Sequence, residues 1–114
     1  MKNIQLIKDG VPTLQVNEPQ ELSDFELIDV RRPDEFIGEL GHIKGAKLHT
    51  LGDELESYLK SADQNQKILF ICRSGARSAN ATLQAMSLGF KEVYNMEGGM
   101  ILWNEKGFPT QTND

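Results

Sequence analysis

The chain has one cysteine, which excludes an internal disulfide framework and any zinc site built from several thiolates. It has no run near the ~18 apolar residues of a membrane helix. Basic residues are in the minority, 12 against 17 acidic ones over 114 positions, and the net charge is −5. Without a basic stripe, nucleic acid is not an expected partner. The N-terminal run Met1-Lys2-Asn3-Ile4-Gln5-Leu6-Ile7-Lys8-Asp9 breaks after a few apolar residues and lacks a signal-peptide core. Repeats, low-complexity tracts and linkers are also missing, and the length fits one domain. These absences predict a soluble, cytoplasmic, single-domain protein. It is expected to be a monomer, since a small acidic chain without an obvious apolar patch has no reason to self-associate.

What is present alternates in kind. Phe25-Glu26-Leu27-Ile28-Asp29-Val30 and Lys67-Ile68-Leu69-Phe70-Ile71 are short, β-branched and bounded by polar residues, as strands covered on both faces tend to be. Glu92-Val93-Tyr94-Asn95-Met96 reads as a weaker strand, and Leu14-Gln15-Val16 and Ala46-Lys47-Leu48 add two short ones. Leu51, Leu55, Tyr58 and Leu59 form one helical stripe, with Thr50 as its expected N-cap. Ala79, Thr82, Leu83 and Met86 form another, closed by Gly89. A third helix runs from about Gly99 through Trp103 to Gly107, and Pro33 opens a short helical turn. Strands alternating with helices of this length predict an α/β fold with a mostly parallel sheet.

In such sheets ligands bind beyond the carboxyl ends of the strands. The strand ending at Ile71 runs into Cys72-Arg73-Ser74-Gly75-Ala76-Arg77-Ser78 and then a helix. A lone cysteine that ends an apolar strand is ordinarily a small buried hydrophobe. Two arginines, a glycine and a hydroxyl in the next six positions point instead to a nucleophile. Converging loop amides, a helix N-terminus and cationic neighbours all favour a thiolate. Gly75 lets the chain turn with positive φ. Loop length then separates chemistries. Cysteine phosphatases hold phosphate in a Cys-x5-Arg loop, but here Arg77 follows Cys72 after four residues and Ser78 stands where that pattern has its arginine. The smaller cradle suits a bound sulfur better than a phosphoryl group.

Four stretches in order resemble the single-domain rhodaneses, a sulfurtransferase family, over roughly Leu14 to Pro109. They are Leu27 to Phe36, Gly41 to Ala46, the Cys72–Ser78 loop, and Gly89 to Met100 with the Trp103 and Gly107-Phe108-Pro109 ending. The resemblance implies a rhodanese-like α/β fold, with about five parallel strands flanked by helices on both faces. It implies one rhodanese domain over 1–114, with its core at about 14–109. It further implies that Cys72 takes a sulfane sulfur from thiosulfate or a similar donor and passes it to a thiophile, such as cyanide or a cellular thiol. Main-chain amides of Arg73, Ser74, Gly75, Ala76, Arg77 and Ser78 are expected to hold that sulfur. Arg73 and Arg77 are expected to recruit the anionic donor to a locally basic pocket. Thioredoxin or glutathione are candidate acceptors, and no cofactor is implied.

The remaining motifs read as scaffold. Asp29, Arg31 and Glu35 are expected to support the loop, Arg31 pairing with Glu35. His42 is expected to fix its own loop through ring hydrogen bonds, and neither it nor His49 has the partners of a metal site. Gly98-Gly99 lacks the lysine and hydroxyl of a P-loop and is read as a close backbone approach beside the cysteine loop. Trp103 is read as core. Lys44 replaces the proline of many relatives, and Ile37 to Gly41 is a longer connection than usual, expected at the pocket rim. Residues before Leu14 match nothing in the family. Two alternatives stay open: a persulfide carrier with little small-donor turnover, and a phosphatase or arsenate reductase on the same fold.

Overall fold

The computed structural model describes residues 4–113; Met1, Lys2 and Asn3 of the N-terminal run lie outside them. Six strands form one sheet in the order β1-β2-β6-β5-β3-β4. They are β1 (Ile4–Lys8), β2 (Val11–Gln15), β3 (Glu26–Asp29), β4 (Lys47–Leu48), β5 (Lys67–Ile71) and β6 (Glu92–Met96). The helices are α1 (Pro33–Phe36), α2 (Asp53–Ser61), α3 (Ala76–Ser87) and α4 (Gly99–Glu105). Every pairing from β2 onward is parallel, as the alternation of strands and helices requires.

The exception is β1, antiparallel to β2, in the segment whose sequence matched nothing in the family. Its signal is local. Asp9 and Gly10 stand between the strands at φ 53° and 80°, the two successive positive values that a two-residue hairpin turn demands and that Asp-Gly supplies. The hairpin extends the sheet by one antiparallel edge strand.

Strand β5 is central, and its alternation divides the core. Ile68 and Phe70 pack with Leu55 and Leu59 of α2 and with Ala81 and Ala85 of α3. Leu69 and Ile71 face the other way, onto Leu14, Leu22, Met100 and Trp103. Both faces are covered, which is why the strand reads as an unbroken apolar run. Cys72 continues the parity of Ile68 and Phe70 and joins their cluster. Its side chain therefore points toward α3.

The expected stripe of α3 is rotated. Ser78, Ala81, Thr82 and Ala85 are buried, whereas Leu83 and Met86 are each 42% exposed. Small side chains let the helix lie close to β6, β2 and β5, and the closest-packed face here is not the most apolar one. The end of α3 is as expected, with Gly89 N–H bonded to Met86 O (3.0 Å) and Phe90 N–H to Ala85 O (3.1 Å), the paired closure of a glycine-capped helix. Thr50 does not cap α2. The N-cap is Gly52, because the Thr50 hydroxyl donates to Arg31 O (2.8 Å) and its N–H to Glu54 Oε1 (2.9 Å).

The rotated face sets a test by urea unfolding. Ala85→Leu is expected to destabilise by ~1–3 kcal/mol through overpacking, and Leu83→Ala to stay within ~0.5 kcal/mol. The reverse order would restore Leu83 to the packed face.

Candidate active site

The thiol lies where β5 ends and α3 begins. Cys72 is 0% exposed, and two donors meet its sulfur: Gly75 N–H at 3.0 Å and the Ser78 hydroxyl at 3.2 Å. Gly75 caps α3 at φ 114°, which turns its amide back toward the sulfur. The loop is tied from outside by α4. Met100 N–H donates to Cys72 O (2.8 Å) and Ile101 N–H to Arg73 O (3.0 Å). These bonds bring the Gly99 backbone so close that a Cβ there would sit 2.5 Å from Arg73 O and 2.6 Å from Cys72 O. The Gly98-Gly99 pair thus serves the close approach read from the sequence.

Of the expected sulfur-binding amides, that of Gly75 donates to the sulfur, and the Ser78 hydroxyl is the second donor among the described residues. Arg73, Ser74 and Ala76 are exposed, Arg77 is half-buried and Ser78 is fully buried.

The charges around the loop are paired differently from expectation. Arg31 does not reach Glu35. It is 1% exposed and clasps Asp29 through two bonds, Nε to Oδ1 at 2.9 Å and Nη2 to Oδ2 at 2.8 Å. The same Nη2 donates to Gly41 O at 2.7 Å. Two residues apart at a strand end, Asp29 is simply the nearer carboxylate, and a buried guanidinium needs its partner held in place.

Glu35 instead takes Arg77, with Nη1 at 2.7 Å from Oε1 and Nη2 at 2.9 Å from Oε2. This fork joins α1 to α3 beside the thiol. The Arg77 guanidinium, by donating to Glu35, holds that carboxyl down at about 2. Arg32 is committed to Asp34. The expected locally basic pocket is therefore largely neutralised, and Arg73 alone of these arginines makes no ion pair among the described residues.

His42 fixes its loop as expected. It is 1% exposed, stacks on Phe36 with ring centroids 3.6 Å apart, and has Nδ1 2.7 Å from Phe36 O. A carbonyl accepts only, so Nδ1 carries the proton. His49 faces Glu54 at 2.6 Å on the exposed flank. Among the described residues no three His, Cys, Asp or Glu side chains gather as metal ligands.

Two clefts flank the loop. One, of about 180 Å³, runs between Arg73 and the Gly38-Glu39-Leu40 connection, which places that long connection at the rim. The other, of about 260 Å³, lies between Ser74-Gly75-Ala76 and the β1–β2 turn and is walled in part by Asn95. A third cleft, of about 360 Å³, is lined by Leu22, Leu27, Ile43 and Trp103 and includes no residue of the cysteine loop. Sequence reasoning missed Asn95, whose Oδ1 accepts from the Ser78 hydroxyl. A polar residue in the penultimate, buried place of a central strand was its only signal.

Known proteins with this arrangement can be compared directly. A family model described as rhodanese-like domain matches residues 13–106. The sequence is 34% identical to rhodanese-like domain-containing protein 17 of Arabidopsis thaliana, over 89% of this chain and 73% of that protein. It is 29% identical to thiosulfate sulfurtransferase GlpE of Vibrio cholerae, over 88% of this chain and 94% of that one. The human single-domain sulfurtransferase TSTD1 superposes with a TM-score of 0.74 at 30% identity, covering 85% of this chain and 98% of its own.

The Glu35–Arg77 fork predicts acid sensitivity. Glu35 titrates at about 2 in the fold against an ordinary 4.5, so its contribution is complete above pH 4.5 and is lost as pH falls through 2. With Arg77 32% exposed, solvent screening reduces that contribution to ~2 kcal/mol. Denaturant midpoints between pH 5 and pH 2 should therefore fall more steeply for the native chain than for Glu35→Gln; parallel slopes contradict the assignment.

Proposed function

The chain belongs to the rhodanese-like domain family, and from that premise we propose that it is a sulfurtransferase working through a persulfide on Cys72. The observation that carries this reading is the sulfur at the tip of β5 with the Gly75 amide and the Ser78 hydroxyl aimed at it. The Cys72 thiolate attacks the outer sulfur of thiosulfate, the sulfur–sulfur bond breaks, and sulfite leaves with its electron pair. The new terminal sulfur carries negative charge, and its stabilisation is the role proposed for the loop amides. A thiophile then attacks that sulfur. Cyanide leaves as thiocyanate, a thiol as a persulfide, and the Cys72 thiolate is restored.

The four-residue spacer between Cys72 and Arg77 supports sulfur over phosphate as cargo, since the loop is one residue shorter than the phosphatase pattern. Arg77 is held by Glu35, so recruitment of an anionic donor falls to Arg73. Thioredoxin or glutathione is the proposed class of acceptor, and one rhodanese domain in the cytoplasm the proposed setting. No helix among the described residues is long and apolar enough to cross a membrane.

The burial of Cys72 and the pairing of the surrounding arginines favour one second reading: a carrier that receives sulfur from a protein or low-molecular-weight persulfide and turns over small anions slowly. The ratio of kcat/KM for thiosulfate to that for a persulfide donor separates the two.

Cys72→Ser is expected to abolish sulfur transfer in a chain that still folds, at a cost of ~1–3 kcal/mol for the buried hydroxyl; full activity in that variant removes the mechanism. Arg73→Ala is expected to raise the KM for thiosulfate about threefold to tenfold at low salt, with kcat little changed and the difference shrinking as salt is added. A KM that ignores both the substitution and the salt assigns donor recruitment elsewhere.

A further inference from the structure

We propose that Asn95 sets the direction of the Ser78 hydroxyl and through it the balance between thiol and thiolate at Cys72. Asn95 is thus a positioning residue for the nucleophile, an inference that rests on reading Cys72 as the sulfur carrier.

The Ser78 hydroxyl lies 3.2 Å from Cys72 Sγ, 3.2 Å from Gly75 O, and within hydrogen-bond reach of Asn95 Oδ1. It has one hydrogen for three acceptors. Cys72 and Ser78 are 0% exposed and Asn95 8%, so water does not readily replace a missing partner there.

With Cys72 protonated, one arrangement satisfies the chain: the thiol donates to Ser78 Oγ, and Ser78 donates to Asn95 Oδ1. When the thiol proton leaves to solvent, the sulfur needs donors instead. Gly75 N–H already points at it, and the second donor has to be the Ser78 hydroxyl. That hydroxyl must then turn away from Asn95, leaving two acceptors facing each other unless the amide also turns. A half-turn of the Asn95 amide places Nδ2–H on Ser78 Oγ and reverses the direction of the chain. Asparagine can do this because its two ends differ only in donor and acceptor character. Asn95 also walls the 260 Å³ cleft beside Ser74 and Gly75, so the other half of its amide has an aqueous side to face in either state. An aspartate there could only accept, would hold the Ser78 hydrogen, and would add a like charge beside the thiolate.

The charged groups around this chain are Arg77 on α3, which acts electrostatically on Cys72, and Glu35 behind it. The Asp29–Arg31 pair closes the end of β3, Arg73 stands in the loop, and Lys8, Asp9 and Glu97 line the cleft side. Substituting Asn95 or Ser78 changes none of them.

The test is a pH titration of thiolate ultraviolet absorbance on the full chain, with Cys72→Ser as the blank; one cysteine assigns the signal. Ser78→Ala is expected to raise the midpoint by about one unit, the loss of one hydrogen bond to a charged sulfur; Asn95→Ala, which removes the donor that orients that hydroxyl, is expected to raise it by less. The double variant is expected to match Ser78→Ala alone, because Asn95 acts through that hydroxyl. Asn95→Asp, nearly isosteric, is expected to raise the midpoint at least as far. A midpoint unmoved by Asn95→Asp or Asn95→Ala overturns the proposal, as does an Asn95→Ala effect that persists when Ser78 is absent. Sulfur loading of the native chain is measured separately. Failure to load removes the functional reading, while the titration still decides the role of Asn95.

Discussion

The close approach of Gly99 to the carbonyls of Cys72 and Arg73 is the constraint on which the site depends. A Cβ at that position would lie 2.5 Å from Arg73 O, so the first turn of α4 reaches the loop only because residue 99 has none. That approach delivers the Met100 and Ile101 amides to the loop carbonyls and fixes the loop from the α4 side. From the other side, α3 begins at Gly75 and presents Ser78 to the sulfur. The thiol sits between two helix starts because β5 parity turns residue 72 toward α3 while α4 packs on the opposite face.

Electrostatics then narrows what such a loop attracts. The chain is acidic overall, and the arginines near the loop are mostly bound: Arg31 by Asp29, Arg77 by Glu35 and Arg32 by Asp34. The first pair is buried and braces the end of β3 and the Gly41 carbonyl. The second spans the gap between α1 and α3. Their role is mechanical as much as electrostatic, since a bidentate fork fixes orientation. On the proposed reading, stabilisation of negative sulfur is left to dipoles, the Gly75 amide and the Ser78 hydroxyl, and attraction of a donor to the single guanidinium of Arg73.

Much of this was legible from the residues alone. β5 and β6 have the expected limits, the cysteine loop stands at the carboxyl edge of the sheet, and His42 and Gly99 play the scaffold roles that their motifs suggested. What was not legible has identifiable causes. The partner of Glu35 lies 42 positions away, and no local spacing distinguishes Arg77 from Arg31. The buried face of α3 follows small side chains rather than apolar ones, so a hydrophobic stripe pointed to Leu83 and Met86 instead of Ala81 and Ala85. Thr50 had a better acceptor in Arg31 O than the amides of α2 offered. Strand β1 was recoverable from Asp9-Gly10, yet it lies outside the family pattern that guided the rest. Asn95 lay inside the Gly89–Met100 stretch, but nothing there marked it as the partner of Ser78, which reaches it from α3.

The central claim is that Cys72 carries sulfur, and intact-protein mass spectrometry after incubation with thiosulfate tests it most directly. The account predicts a gain of one sulfur mass, ~32 Da, that is lost on adding cyanide or a thiol and never forms on Cys72→Ser. A native chain that gains no sulfur from thiosulfate or from a persulfide donor, or a serine variant that gains it equally, would contradict the account.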